Sequence, residues 1–291
     1  MSSSEPIPVW ELEAELGEGP VWVERDQALW FTDIKKQKIH RYDPKSGDRR
    51  SWDSPEQVGF ILPAEGGGFV AGLQSGLYRF DDRSGDFNLI AEVEPGIPTN
   101  RINDGVVDPA GRIWFGTMDN GERAKSGAFY CFHEGQVTRT NLDGIAITNG
   151  PAVSPDGKLL YYVDTLRGTI DIADIREDGS LGSTRPFVRI DHREGHPDGP
   201  TIDSEGHVWI SLYAGWEARR YAPSGELVER VPFPVSNITK IAFGGDNLRT
   251  AFATTARQML SAEQIAEQSL IGALFEFRAE VSGLPCPLVR I

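Results

Sequence analysis

Three short stretches carry the residues best suited to chemistry: GEGPVW at 17–22, TNGPAV at 148–153 and PDGPTI at 197–202. Each sets an oxygen-bearing side chain, Glu18, Asn149 or Asp198, directly before Gly-Pro and a run of strand formers. Carboxylate and carboxamide oxygens suit a hard divalent cation such as Ca²⁺, Mg²⁺ or Mn²⁺. Three protein ligands would leave positions open for water and substrate, as a catalytic metal requires. The competing reading is a plain turn, since Asp-Gly recurs at 104–105, 143–144, 156–157, 178–179 and 198–199. Turn chemistry explains Asn149 and Asp198 singly, but it explains Glu18 poorly, because glutamate is not a favoured turn former. Two carboxylates brought together would also repel unless a cation or proton sat between them.

A repeating architecture would bring segments this far apart together. Strand-like runs recur as ALWFTDI, GFVAGLQ, RIWFGTM, LLYYVDT, HVWISLY and RTAFATT, at a spacing of roughly 40–48 residues, that of four-stranded propeller blades. Hairpin turns such as DPAGR, SPDGK and DSEGH precede several of them. Helical patterns between strands are missing, which excludes a parallel α/β fold. The expected fold is therefore all-β, a six-bladed β-propeller forming a single domain over residues 1–291. The segment near 7–15 is expected to pair with the last blade and remove its open edge. SAEQIAEQ at 261–268 reads as a helix inserted in that blade, opened by a capping box from Ser261 to Gln264.

Aligning the repeats puts Glu18, Val58, Asn103, Asn149, Asp198 and Thr239 at one equivalent position, just before the first strand of each blade. The innermost strands of a propeller run in the same direction, so these residues should converge at one mouth of the central channel. Coincidence after alignment favours a metal site over separate turns.

Other features narrow the field. The 291 residues carry a formal charge of −14, which argues against nucleic-acid or anionic-membrane partners. MSSSEPIPVWELEAEL lacks the basic-then-apolar pattern of a signal peptide, and no stretch is apolar enough to span a membrane. A cytoplasmic protein, monomeric or weakly dimeric, is expected. Cys131 and Cys286 cannot form a disulfide framework or zinc ribbon and read as reduced thiols. The five histidines lack zinc-type spacing; His196 reads as a surface imidazole, and Gly-x-Ser-x-Gly and phosphate loops are missing. Tyr213 and Trp216, after a strand that ends at the ligand mouth, are candidates for the wall of a pocket.

The chain resembles the SMP-30/gluconolactonase/regucalcin family of six-bladed propeller lactonases over nearly its full length. The resemblance is carried by LGEGPVW, FTDIKKQKIHRYDP, NRINDGVVDPAGRIWFGTM, ITNGPAVSPDGKLLYYVDT, HPDGPTIDSEGHVWISL and FGGDNLRTAFATTAR. GTMDNGE and TTAR look most like the bacterial sugar-lactonase branch, including xylonolactonases. The resemblance implies that Glu18, Asn149 and Asp198 hold one divalent metal ion, whether Ca²⁺, Mg²⁺, Mn²⁺, Zn²⁺ or Fe²⁺. It also implies that Arg101 and Asn103 bind substrate, with Asp119 and Glu122 matching a further substrate-binding glutamate in a loop whose sequence differs. The implied reaction opens a sugar lactone to its aldonic acid in carbohydrate catabolism, with Asp198 as both ligand and base for the attacking water. A phosphotriesterase or arylesterase on the same metal, or a non-catalytic calcium-binding propeller, are the alternatives.

Overall fold

The computed structural model describes residues 3–291. Strand β1 (Ile7–Trp10) precedes the first repeat. Blade one holds β2 (Gly17–Val23), β3 (Ala28–Asp33), β4 (Lys38–Tyr42) and β5 (Arg49–Asp53). Blade two holds β6 (Val58–Pro63), β7 (Phe69–Leu73), β8 (Gly76–Phe80) and β9 (Phe87–Glu92). Blade three holds β10 (Asn100–Val107), β11 (Ile113–Asp119), β12 (Gly127–His133) and β13 (Gln136–Ile145). Blade four holds β14 (Thr148–Val153), β15 (Leu159–Asp164), β16 (Thr169–Ile175) and β17 (Leu181–Arg189). Blade five holds β18 (His196–Ile202), β19 (Val208–Tyr213), β20 (Glu217–Tyr221) and β21 (Leu227–Pro232). Blade six holds β22 (Ile238–Gly244), β23 (Thr250–Thr255) and β24 (Leu274–Arg278), with helix α1 (Ala262–Glu267) inserted before β24.

Each blade is an antiparallel four-stranded sheet, and the six form a closed β-propeller. Blade six gains its fourth strand from β1, which pairs with β24 through Ile7–Glu276 and Trp10–Leu274. The expected closure by the amino-terminal segment is thus present, and the outer edge of β24 is covered. The Ser261–Gln264 capping box also forms, with both reciprocal hydrogen bonds in place. Among the described residues no helix is long and apolar enough to cross a membrane.

The blades cohere through aromatic packing. Trp30, Trp114 and Trp209 sit at the same place in three blades and are almost wholly buried. An indole in such a place needs a hydrogen-bond acceptor. The hairpin aspartates supply it: Trp114 Nε1 donates to Asp108 (2.9 Å) and Trp209 Nε1 to Asp203 (3.0 Å). The same carboxylates accept turn amides, from Ala110 and Arg112 on Asp108 and from Glu205 and His207 on Asp203. One repeated Asp therefore shapes a turn and seats a core tryptophan.

Register fixes what faces the channel. Val21, Leu62, Val106, Ala152, Thr201 and Ala242 pair with Trp30, Val70, Trp114, Tyr161, Trp209 and Phe252 of their neighbouring strands. Three residues earlier in each innermost strand stand Glu18, Gly59, Asn103, Asn149, Asp198 and Thr239. Two expectations are corrected by this. The second blade's equivalent is Gly59, one residue beyond Val58, so that blade sends no side chain to the set. The set also lies within the innermost strands, at a β-bulge that interrupts each ladder, and not before them. Proline after Gly fits such a bulge in three blades, because the missing N–H costs no ladder hydrogen bond.

Candidate active site

The ligand mouth opens on a cavity of ≈ 370 Å³ whose lining includes Glu18, Arg101, Asn103, Asn149 and Asp198. All five are buried. A larger cavity of ≈ 500 Å³ lies toward the opposite end, beside Leu284–Cys286 of the carboxyl-terminal tail, and no carboxylate or imidazole lines it. The smaller one holds the chemistry.

The bulge presents the two carboxylates in the same way. Glu18 Oε2 accepts the amide of Gly19 (3.0 Å) and Asp198 Oδ1 that of Gly199 (2.8 Å), leaving the second oxygen of each without a donor among the described residues. Asn149 is fixed from both sides. Its Nδ2 donates to Thr165 Oγ1 (2.8 Å), whose hydroxyl donates to the carbonyl of Pro197 (3.0 Å), while its Oδ1 accepts from Asn103 Nδ2 (2.9 Å). That oxygen keeps a lone pair for a further partner.

Burial, then the charge of nearby Asp104, raises the Glu18 carboxyl to about 8. Burial, then Glu18 and Asp104, lifts Asp198 well above the usual carboxylate range. Groups held so far from their ordinary values are short of positive charge. Around the mouth the carboxylates of Glu18, Asp104, Glu122 and Asp198 face the cations of Arg101 and Lys240. Carboxylates outnumber cations beside Glu18 and Asp198, and a divalent cation would supply the missing positive charge. Among the described residues no three Asp, Glu, His or Cys side chains cluster as a cage, and the donors here are two carboxylates and a carboxamide. The residues fit a hard cation in an open site.

Arg101 Nη1 donates to Asn103 Oδ1 (2.6 Å), and its Nε to Asn120 Oδ1 (3.2 Å), which also accepts from Lys35. Desolvation brings the Arg101 guanidinium down to about 10, so it stays charged at neutral pH. Asn103 Nδ2 also donates to the carbonyl of Thr148, which ties blade three to blade four. The loop 119–122 divides. Glu122 lines the cavity, whereas Asp119 Oδ2 accepts the amides of Arg123 and Ala124 and shapes its own loop. Tyr213 lines the cavity as well; Trp216, 47% exposed, does not. His196, which reads as a surface imidazole in the sequence, is half-buried and lines the cavity too.

The residues after the ligands were not legible as a unit. Gly19, Gly150 and Gly199 follow them in blades one, four and five, and Phe60, Asp104 and Lys240 occupy the same place in the others. A Cβ on Gly199 would lie 2.5 Å from Lys240 Cβ and 2.3 Å from the Thr239 carbonyl. Lys240 Nζ lies 2.6 Å from both oxygens of Asp104, and Asp104 Oδ2 also accepts the amide of Gly150 (3.0 Å). Asp104-Gly105 looks like one more turn pair, yet it sits inside β10. Its partner is 136 residues away, and only the ring brings the two together.

A family model described as the SMP-30/gluconolactonase/LRE-like region matches residues 16–257. The chain belongs to this family. It is 35% identical over 275 residues to a 6-deoxy-6-sulfogluconolactonase of Pseudomonas putida, covering 94% of each. It is 34% identical to an L-arabinolactonase of Azospirillum brasilense, covering 92% of this chain and 90% of that one. The crystal structure of the calcium-binding protein regucalcin of Agrobacterium tumefaciens superposes with a TM-score of 0.94 at 28% identity, covering 100% of this chain and 98% of that one. The motifs around Glu18, Asn149 and Asp198 fall within the matched region.

Proposed function

We propose that this family member is a divalent-metal-dependent lactonase that opens a sugar lactone to its aldonic acid. Two of its relatives are lactonases by name, both acting on sugar-derived lactones. The observation that carries the metal is the charge deficit around two buried carboxylates and one oriented carboxamide, all at the cavity that Arg101 lines. Glu18, Asn149 and Asp198 would hold the ion, with Ca²⁺, Mg²⁺ or Mn²⁺ favoured by the oxygen donors and Zn²⁺ or Fe²⁺ admitted by the open site.

A bound ion supplies Lewis acidity toward the lactone carbonyl. The remaining work falls to the chain. Asp198 keeps Oδ1 on the Gly199 amide, which fixes its carboxylate plane, so that its other oxygen, the one that would hold the ion, also faces the water that attacks the carbonyl carbon. It takes a proton from that water as the new C–O bond forms. The ring C–O bond then breaks as Asp198 returns that proton to the leaving ring oxygen, and the open acid ionises in neutral solution. Arg101 and Asn103 hold sugar hydroxyls, and their mutual hydrogen bond sets them in place before substrate arrives. Asp198→Asn should fold normally and lose about 10²–10⁴ in turnover, the usual contribution of a general base. Near-wild-type hydrolysis by the folded variant would contradict the assignment.

A further inference from the structure

The loop after β23 reaches across the ligand mouth. Gln258 Nε2, from blade six, donates to Glu122 Oε1, from the β11–β12 loop of blade three, at 2.7 Å. These blades stand opposite each other in the six-membered ring, so the bond spans the cavity that both residues line. The main chain of Gln258 is anchored three times. Its amide donates to the Glu15 carbonyl (2.8 Å), and its own carbonyl accepts from Asn237 Nδ2 (3.3 Å) and from the Tyr213 hydroxyl. Its side-chain carbonyl, by contrast, is buried and has no hydrogen-bond partner among the described residues. Glu122, at one end of the bridge, and Met259, next to its other end, both adopt left-handed backbone, with φ of 59° and 67°. Such conformations cluster where geometry serves a ligand.

We propose that Gln258 is a specificity-determining residue that reads, together with Glu122, a vicinal diol of the substrate; this rests on the lactonase reading above. A hydroxyl is donor and acceptor at once. Inserted between the two side chains, it accepts from Gln258 Nε2 and donates to the Glu122 carboxylate, so neither loses a partner. The neighbouring hydroxyl donates to the unpaired Gln258 Oε1 once the carboxamide turns from Glu122 toward the ligand. A lactone lacking the second hydroxyl leaves Gln258 Oε1 unpaired, and one lacking the first gains nothing over the Gln258–Glu122 bond already in place, so the site favours the full diol.

The test is a set of monodeoxy analogues of the aldonolactone that wild type opens best, each missing one hydroxyl, assayed with wild type and Gln258→Leu. Wild type should lose about 10- to 100-fold in kcat/KM on one or two adjacent members of the set. With Gln258→Leu that loss should shrink to about threefold on those members alone, through KM more than kcat, while discrimination at the other positions is kept. If the leucine variant does not fold, the isosteric Gln258→Glu, whose carboxylate repels Glu122, should abolish the same discrimination. An equal fall on every analogue, or an unchanged pattern, overturns the assignment and leaves the lactonase reading standing. A wild type that opens no lactone overturns both.

Discussion

Lys240 of blade six and Asp104 of blade three meet across the central channel, the ammonium 2.6 Å from each carboxylate oxygen, beside the candidate metal ligands. Both are buried. Removing one partner of a buried pair leaves the other uncompensated and costs about 3–5 kcal/mol. Lys240→Met should therefore lower the metal-free melting temperature sharply, and added divalent cation should restore more stability than in wild type, because the site is left more negative. Asp104→Asn should do the opposite for the ion, weakening its binding with a lone ammonium beneath it. Metal titrations followed by thermal melts read both, and shifts of the same sign would refute the electrostatic coupling.

Acidity gives a second handle. In the metal-free protein Glu18 keeps its proton up to about 8, against an ordinary value of 4.5. Between those limits Glu18 holds more proton in the folded chain than in the unfolded one, so this group's contribution to stability is present at low pH and falls as pH rises. Above about 8 it levels off. Metal affinity should climb through the same window, because the ion displaces that proton. Melting curves with a chelator from pH 5 to 8, compared with Glu18→Gln, should show the wild type losing stability relative to the variant as pH rises. A relative gain would contradict the raised value.

Thr165, in the cavity wall, holds the Asn149 carboxamide so that Oδ1, which accepts from Asn103, keeps a lone pair turned to the site. Thr165→Val should keep the fold and weaken metal binding about 10- to 100-fold, the usual cost of losing a ligand's supporting hydrogen bond. Calorimetric titration with Ca²⁺ and with Mn²⁺ measures it directly.

Crowding at the axis can be separated from backbone strain. Gly199 has φ of 39° and no room for a Cβ, whereas Gly47, at φ of 75° in an outer hairpin, has nothing within 4 Å. Gly47→Ala should cost about 1–2 kcal/mol, the left-handed penalty alone. Gly199→Ala adds overpacking and should cost about 2–5 kcal/mol in all. Equal effects in chemical denaturation would mean that the axis is looser than its packing indicates.

The propeller and the ligand trio were readable because both repeat: the hairpins recur, and Glu18, Asn149 and Asp198 share one Gly-Pro context. Gly59 was missed by one residue because blade two carries no polar marker, and only the ladder through Leu62 and Val70 fixes the count. Asp104 was hidden among turn-like Asp-Gly pairs, and its role depends on Lys240 half a ring away. Gln258 left no signal, since its partner Glu122 lies in the loop least like the family pattern. What escaped is made by closure of the ring, which joins residues that no local pattern connects.

The most direct test of the metal-dependent lactonase is to strip the protein with chelator, add back single divalent ions, and follow acid release from gluconic, galactonic, xylonic and arabinonic lactones. The stripped enzyme should be folded and nearly inactive, and at least one ion should restore turnover of at least one lactone, with Asp198→Asn unresponsive. Full activity after stripping would contradict the metal's role. No acceleration with any ion would instead leave a binding propeller.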